Sequence, residues 1–169
     1  MMLRAADDTD AQAICDIMNQ VIRETSITFK DVEKTPADVL LEIKKAQTND
    51  RPFFVIETDG VVAGYATYSP FRAGSGYRRT MEHSVAISPT AQRAGFGYAL
   101  MSALEEQARA NKVGSLIGAI SAENSEGLAF HRALGFVEVG RIPMAGWKFS
   151  RWIDLVLVQK ALLTPKDKS

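Results

Sequence analysis

The residues best placed to do chemistry lie in the middle of the chain. Gln92–Gly97 reads Q-R-A-G-F-G, between a strand-like run (Thr80–Ile87) and a helix-like run (Tyr98–Asn111). A glycine-rich turn opening a helix exposes backbone N–H groups at the positive end of the helix dipole, which suits a phosphate or pyrophosphate. G-x-G alone is carried by many turns, and a loop tightening onto a helix explains it equally well. Two absences narrow the choice. There is no G-x-x-x-x-G-K-[ST], so the phosphate lysine and magnesium hydroxyl of a P-loop are missing. The turn also follows a late strand, not the first strand of a βαβ unit with an acid further on, which disfavours a dinucleotide fold. Just upstream stand Glu82 and His83, which strand alternation sends to opposite faces. No Ser-His-Asp pattern is evident, and Cys15 sits in an amphipathic helix, where it reads as packing.

Those groups need a scaffold, and the bulk properties bound it. A chain of 169 residues is long enough for one domain with a substantial core and too short for two comfortable ones. Lys+Arg and Asp+Glu each number 20, so a global positive field for nucleic acid is absent. One cysteine excludes an intrachain disulfide and a cysteine-rich zinc site, and two histidines leave little for a metal, so no metal is expected. The start lacks the apolar region of a signal peptide and no apolar run would span a bilayer, so the expected compartment is the cytoplasm, without membrane partners. The stretch 164–169, T-P-K-D-K-S, reads as a flexible, solvated tail.

The order of elements follows from local signals. Leu3–Ala6 reads as a short strand. Asp7–Asp10 supply caps for a helix to about Glu24, with Ala11, Ile14, Ile17 and Val21 on its apolar face. Thr35-Pro36-Ala37-Asp38 starts a second helix, to about Ala46, with Val39, Leu40 and Ile43 inward. Phe53–Thr58 and Val61–Tyr68 flank Asp59-Gly60, a hairpin signal. A Gly/Ser loop, Ser69–Tyr77, precedes the strand Thr80–Ile87, which stops before Pro89. The helix after the glycine turn buries Leu100, Met101, Leu104 and Ala108. A strand at Ser115–Ile120, a helix at Ser125–Ala133 and strands at Val137–Ile142 and Trp152–Val158 complete a β-α-α-β-β-β-α-β-α-β-β order. A mixed α/β sheet follows, with the phosphate turn after its fourth strand.

In this frame the chain resembles the GCN5-related N-acetyltransferase (GNAT) superfamily. The matching residues are Q-R-A-G-F-G at 92–97 preceded by V-A-I-S-P at 85–89, and A-E-N-S-E-G-L-A-F-H-R-A-L-G-F at 122–136, which looks like the superfamily's N-x-x-[AS]-x-x-[FL]-[YH]-x-x-x-G-F segment. Order and separation of the two blocks also agree. T-S-I-T-F at 25–29, Y-R-R-T-M-E-H-S-V at 77–85 and G-W-K-F-S-R-W-I-D-L-V-L at 146–157 are similar to the phosphinothricin / methionine sulfoximine–methionine sulfone acetyltransferase branch. The resemblance implies one domain over residues 1–163. Its α/β fold would be a mixed, mostly antiparallel seven-stranded sheet flanked by about four helices and splayed between strands 4 and 5. It also implies a homodimer, with acetyl-CoA as co-substrate and the primary amine of a small amino-acid analogue as acceptor.

The resemblance distributes roles residue by residue. Arg93, Ala94, Gly95, Phe96, Gly97 and Tyr98 would cradle the CoA pyrophosphate, the glycines allowing close backbone approach. Arg93 either adds charge or is simply solvated. Val85, Ala86 and Ile87 would pair with the pantetheine, with a backbone N–H near Ala86 or Ile87 meeting the thioester carbonyl. Asn124 would contact pantetheine, or cap a helix, or both. Glu82 is the candidate general base, or else an electrostatic anchor for the substrate ammonium. His131 stands where the superfamily often has a tyrosine, as a proton donor to the CoA thiolate or as a packed helix residue. Phe29, Arg72, Arg78 and Glu82 are the acceptor-site candidates, arginine for a carboxylate or phosphinate and Phe29 for a wall or for core. Lys148 and Arg151 are further basic candidates, unless their segment, with two Trp and one Phe, forms a dimer contact. Two other readings stay open: a non-catalytic acyl-CoA-binding module, and an N-acetyltransferase for a protein N-terminus or an aminoglycoside.

Overall fold

Two capping boxes fix where the first helices begin. A computed structural model describes residues 1–91 and 95–163. In it the Asp7 side chain accepts from the Thr9 N–H and the Asp10 carboxylate accepts from the Asp7 N–H, so a short 3₁₀ turn leads into α1 (Ala11–Glu24). Thr35 and Asp38 make the same reciprocal pair, and Pro36 takes the first position of α2 (Pro36–Thr48), where its missing N–H costs nothing. The remaining elements are β1 (Met2–Ala5), β2 (Phe53–Thr58), β3 (Val61–Pro70), β4 (Thr80–Ile87), α3 (Phe96–Ala110), β5 (Ser115–Ser121), α4 (Ser125–Ala133), β6 (Val137–Lys148) and β7 (Arg151–Ala161). Their order is the one read from the sequence. Among the described residues they form one seven-stranded sheet, β1-β2-β3-β4-β5-β7-β6, accompanied by four α-helices.

The ladders β1–β2, β2–β3, β5–β7 and β6–β7 are antiparallel. β4 and β5 run parallel, and their ladder holds only Thr80↔Ser115, Met81↔Leu116 and Glu82↔Ile117. That short parallel pairing matches the splay expected between strands 4 and 5. Asp59 and Gly60, both at positive φ (52° and 76°), close the β2–β3 hairpin in the turn that the D-G dipeptide favours.

The chain divides into two compact units. The first comprises Met1–Asn19, Lys34–Ser69 and His83–Lys112. Its core joins Ala11, Ile14 and Ile17 of α1 and Val39, Ile43 and Ala46 of α2 with Phe53, Val55 and Tyr65 of the sheet. At its edge the Arg4 guanidinium holds both oxygens of Asp10 (2.7 and 2.9 Å) and one of Glu57 (2.9 Å). Cys15 is buried in this core, as packing.

The second unit comprises Gln20–Glu33, Pro70–Glu82 and the chain from Val113 onward. Here β6 continues to Lys148, well past the expected end at Ile142. A register shift between Ile142 and Gly146, with Met144 at φ 50°, breaks the alternation that would have revealed the second half. The β6–β7 turn is Phe149-Ser150, both at positive φ (51° and 60°) and neither a glycine, so no turn signal marked it. Val21, expected to be inward, is only half-buried. None of the described helices is long and apolar enough to cross a membrane. The tail at 164–169 lies outside the described residues.

Candidate active site

The sequence-derived residues fall into two groups, one in each unit. In the second unit β4 carries Glu82 half-buried, while its neighbours Met81 and His83 are each 7% exposed. The alternation that separates Glu82 from His83 is therefore present. Burial pushes the Glu82 carboxyl up from its ordinary range, opposed by the charges of Arg72 and Lys30. Arg72 stands exposed with its guanidinium over the Phe71 ring, 5.1 Å from the centroid. Arg78 instead donates to the Ser75 carbonyl of its own loop (3.0 Å) and is exposed. Of the two expected arginines, Arg72 acts electrostatically on Glu82. The second such cation is Lys30, which sequence reading passed over.

Asn124 caps α4: its Oδ1 accepts from the Gly127 N–H at 2.9 Å, leaving its amide NH2 as the side-chain donor. His131 is 7% exposed, edge-on to Phe130 and Phe136 with both ring centroids 5.3 Å away. Its Nδ1 lies 2.7 Å from the Gly127 carbonyl oxygen. A carbonyl only accepts, so Nδ1 carries a proton, and the neutral ring has none on Nε2. Burial also pushes the His131 pKa down. A proton donated from Nε2 comes from the imidazolium form, which burial disfavours and the Gly127 carbonyl favours.

Phe29 lies half-buried in the loop between α1 and α2, against β6. A β-carbon at Gly146 would overlap its ring. Lys148 and Arg151 are both engaged by the protein itself, contrary to their reading as ligands for a substrate acid. The Lys148 ammonium donates to the Thr28 carbonyl (2.9 Å), and Arg151 forms a two-pronged pair with Glu123 (3.1 and 2.7 Å). Glu123 also accepts from the Ser26 hydroxyl, and these donors hold its carboxyl down at about 2. Glu123 was missed by sequence reasoning, although it stands inside the A-E-N-S-E motif beside Asn124.

In the first unit Val85, Ala86 and Ile87 are all half-buried on β4, beyond its three-pair ladder with β5. Gly64 of β3 lets them approach: a β-carbon there would meet the Ala86 carbonyl oxygen at 2.8 Å. Ser88 N–H donates to the Ala63 carbonyl (2.8 Å), fixing the strand end. Gly95 stands at φ 77° as the N-cap of α3, without a side-chain cap. A left-handed residue costs a non-glycine about 1–2 kcal/mol, so glycine here serves the turn. The helix begins at Phe96, not Tyr98, because Phe96 is buried as its first inward residue. Phe96, Gly97 and half-exposed Tyr98 thus form the first helical turn. Arg93 and Ala94 lie outside the described residues.

Comparison with known proteins agrees with the arrangement. The chain belongs to the acetyltransferase (GNAT) family, whose model matches residues 18–136. It is 34% identical over 162 residues, 96% of this chain and 95% of the other, to an L-methionine sulfoximine/L-methionine sulfone acetyltransferase of Salmonella typhimurium. It is 36% identical over 163 residues, 96% and 94% of the two chains, to the L-amino acid N-acyltransferase MnaT of Escherichia coli. A solved phosphinothricin acetyltransferase from Sinorhizobium meliloti, in complex with acetyl-CoA, superposes with a TM-score of 0.90 at 31% identity, covering 95% of this chain and 87% of that one.

Proposed function

We propose that this chain is an acetyl-CoA-dependent N-acetyltransferase for the primary amine of a small amino-acid analogue of the methionine sulfone, methionine sulfoximine or phosphinothricin type. The observation that carries the reading is the half-buried carboxylate of Glu82 under the influence of the Arg72 guanidinium. An α-amino acid presents the inverse pair, an ammonium beside a carboxylate, so Glu82 takes the ammonium and Arg72 the acid group. Phe29 walls the acceptor side chain. The relatives named for methionine sulfoximine, methionine sulfone and phosphinothricin support the choice of acceptor, and the one named for L-amino acids supports its class.

In the reaction Glu82 removes one proton from the ammonium, directly or through water. The freed nitrogen lone pair forms a bond to the thioester carbonyl carbon, and the carbon–sulfur bond breaks. The remaining extra proton on nitrogen leaves to solvent or to the departing thiolate, so no enzyme acyl intermediate forms. The amides leading α3 from Gly95 hold the pyrophosphate, the role also proposed for Arg93 and Ala94 from the sequence motif. Val85–Ile87 pair with the pantetheine, and the Asn124 amide NH2 donates to it. A raised carboxyl pKa improves Glu82 as a base, since its ordinary value of ~4.3 is low for the task.

We further infer that residues 1–163 act as one catalytic domain in the cytoplasm and that the active form is a homodimer. Exposed Trp147 and Trp152, their ring centroids 5.1 Å apart across β6 and β7, with exposed Met144 and Phe149 on the same hairpin, supply apolar area suited to a second copy. The test is thiol release from acetyl-CoA across a panel of methionine sulfone, methionine sulfoximine, phosphinothricin, standard amino acids, an N-terminal peptide and an aminoglycoside. The three analogues should lead in kcat/KM. Turnover no better than thioester hydrolysis with all of them would overturn the reading.

A further inference from the structure

A buried lysine is an expensive way to fill space, because its ammonium leaves water and needs compensation. Lys148, 4% exposed near the end of β6, is such a residue. Its Nζ reaches the Thr28 carbonyl oxygen, 120 residues earlier, at 2.9 Å. Asp31, on the same α1–α2 loop, adds a compensating charge. One residue pair down the strand, Gly146 leaves the face of β6 bare, and the Phe29 ring lies where a β-carbon would be. Across the hairpin Arg151 holds Glu123, which in turn accepts from Ser26. The strained Phe149-Ser150 turn joins the two halves, its Phe149 ring lying 5.1 Å from the Lys148 ammonium and 5.7 Å from the Arg151 guanidinium.

The Lys148–Thr28, Gly146–Phe29 and Glu123–Ser26 contacts all bear on Ser26–Phe29, and none of them is a rung of the β6–β7 ladder. The loop they hold carries Phe29 and also Lys30, whose charge acts on Glu82. This loop of eleven residues between helices is thus held at two points, by the buried ammonium on Thr28 and by the Phe29 ring against Gly146.

We propose that Lys148 is a positioning residue which, with Gly146, latches the α1–α2 loop onto β6 so that Phe29 sets the acceptor's side-chain preference. The proposal rests on the N-acetyltransferase reading above. Selectivity for a long acceptor then comes from a lysine that does not touch it. An acceptor with no side chain long enough to meet Phe29, such as alanine, is indifferent to the latch.

The test compares wild type, K148M, K148R and G146A with methionine sulfone and with alanine as acceptors. In K148M the KM for methionine sulfone should rise about tenfold or more, the scale of one lost hydrogen bond to a charged group. The KM values for acetyl-CoA and for alanine should stay within about twofold, while any change of kcat through Lys30 and Glu82 should be small and shared by both acceptors. K148R should restore most of the loss, and G146A should reproduce it by displacing the Phe29 ring. Unchanged selectivity in both K148M and G146A, or a parallel fall in all parameters for both acceptors, would overturn the proposal. Hydrogen exchange separates it from the activity assignment. K148M should exchange faster at Ile27–Lys30 with β5 and β7 unaltered, even if no acceptor in the panel is turned over. Equal exchange in the two proteins would overturn the latch.

Discussion

Substituting Glu82 by glutamine separates the two roles open to this carboxylate. The side chain is half-buried on β4, and desolvation raises its pKa against the opposing charges of Arg72 and Lys30. The amide keeps the shape but neither charge nor basicity. If Glu82 is the base, kcat should fall by about 10²–10³, or ~3–4 kcal/mol in activation free energy, the usual share of a positioned proton acceptor. Raising the pH should shrink that deficit, because the acceptor amine then arrives already neutral. If Glu82 only anchors an ammonium, KM for the acceptor should rise while kcat holds, and that KM deficit should fade as the amine loses its charge, so the split between kcat and KM separates the two roles. The assay is steady-state thiol release from pH 6 to 10 for wild type and E82Q, with acetyl-CoA affinity measured separately and unchanged. R72Q adds a sign check: without the cation that stabilises the charged form, the Glu82 pKa rises and the acid limb of the wild-type profile moves to higher pH. An E82Q enzyme with more than a tenth of wild-type kcat/KM and an unaltered pH profile would refute the role of Glu82 in the reaction.

Other residues give independent tests. Asp10, held by Arg4, has a depressed pKa, so its contribution is present above the unfolded-state value near 3.9 and is lost as pH falls through the lower folded value. D10N should cost about 1–3 kcal/mol in urea unfolding at pH 7, less than a wholly buried pair because Arg4 is partly exposed, and the difference from wild type should shrink as pH falls below about 3.9 and through the lower folded value. N124A removes both a cap and a donor. Thermal melting should report a loss of about 0.5–2 kcal/mol, and the KM for acetyl-CoA should rise beyond what a cap alone explains. H131F should keep kcat within about tenfold, below the usual contribution of a general acid, because the Nδ1 proton is committed to Gly127 and Nε2 of the neutral ring has none to give. A larger fall in kcat, with an alkaline limb that disappears, would restore the acid role.

What could be read in the sequence was what short segments decide for themselves. Thr35-Pro36 and Asp59-Gly60 specify a helix start and a hairpin from within four residues, and β4 announced its bounds and the faces of Glu82 and His83 by alternation. Phe96 was misplaced by a small margin, because Q-R-A-G-F-G does not say which glycine takes the left-handed φ; Gly95 does. Failure came where partners are distant in the chain. Lys148 and Arg151 look like ordinary hairpin cations until Thr28 and Glu123 are brought to them. Lys30 has no local signature, and Glu123 was eclipsed by the helix-capping asparagine beside it. The same distinction runs through the chemistry. The residues proposed to hold the cofactor belong to turns and strand ends whose geometry a motif can encode: a glycine at 95, a strand end at 87, a cap at 124. The residues proposed for the acceptor are side chains on separate segments, and the fold alone decides whether an arginine's charge acts on Glu82, as that of Arg72 does, or is spent on its own loop, as that of Arg78 is. With Lys148 as the proposed latch, a relative that keeps the glycine turn and the cap at Asn124 changes acceptor by altering loop contacts such as Lys148–Thr28.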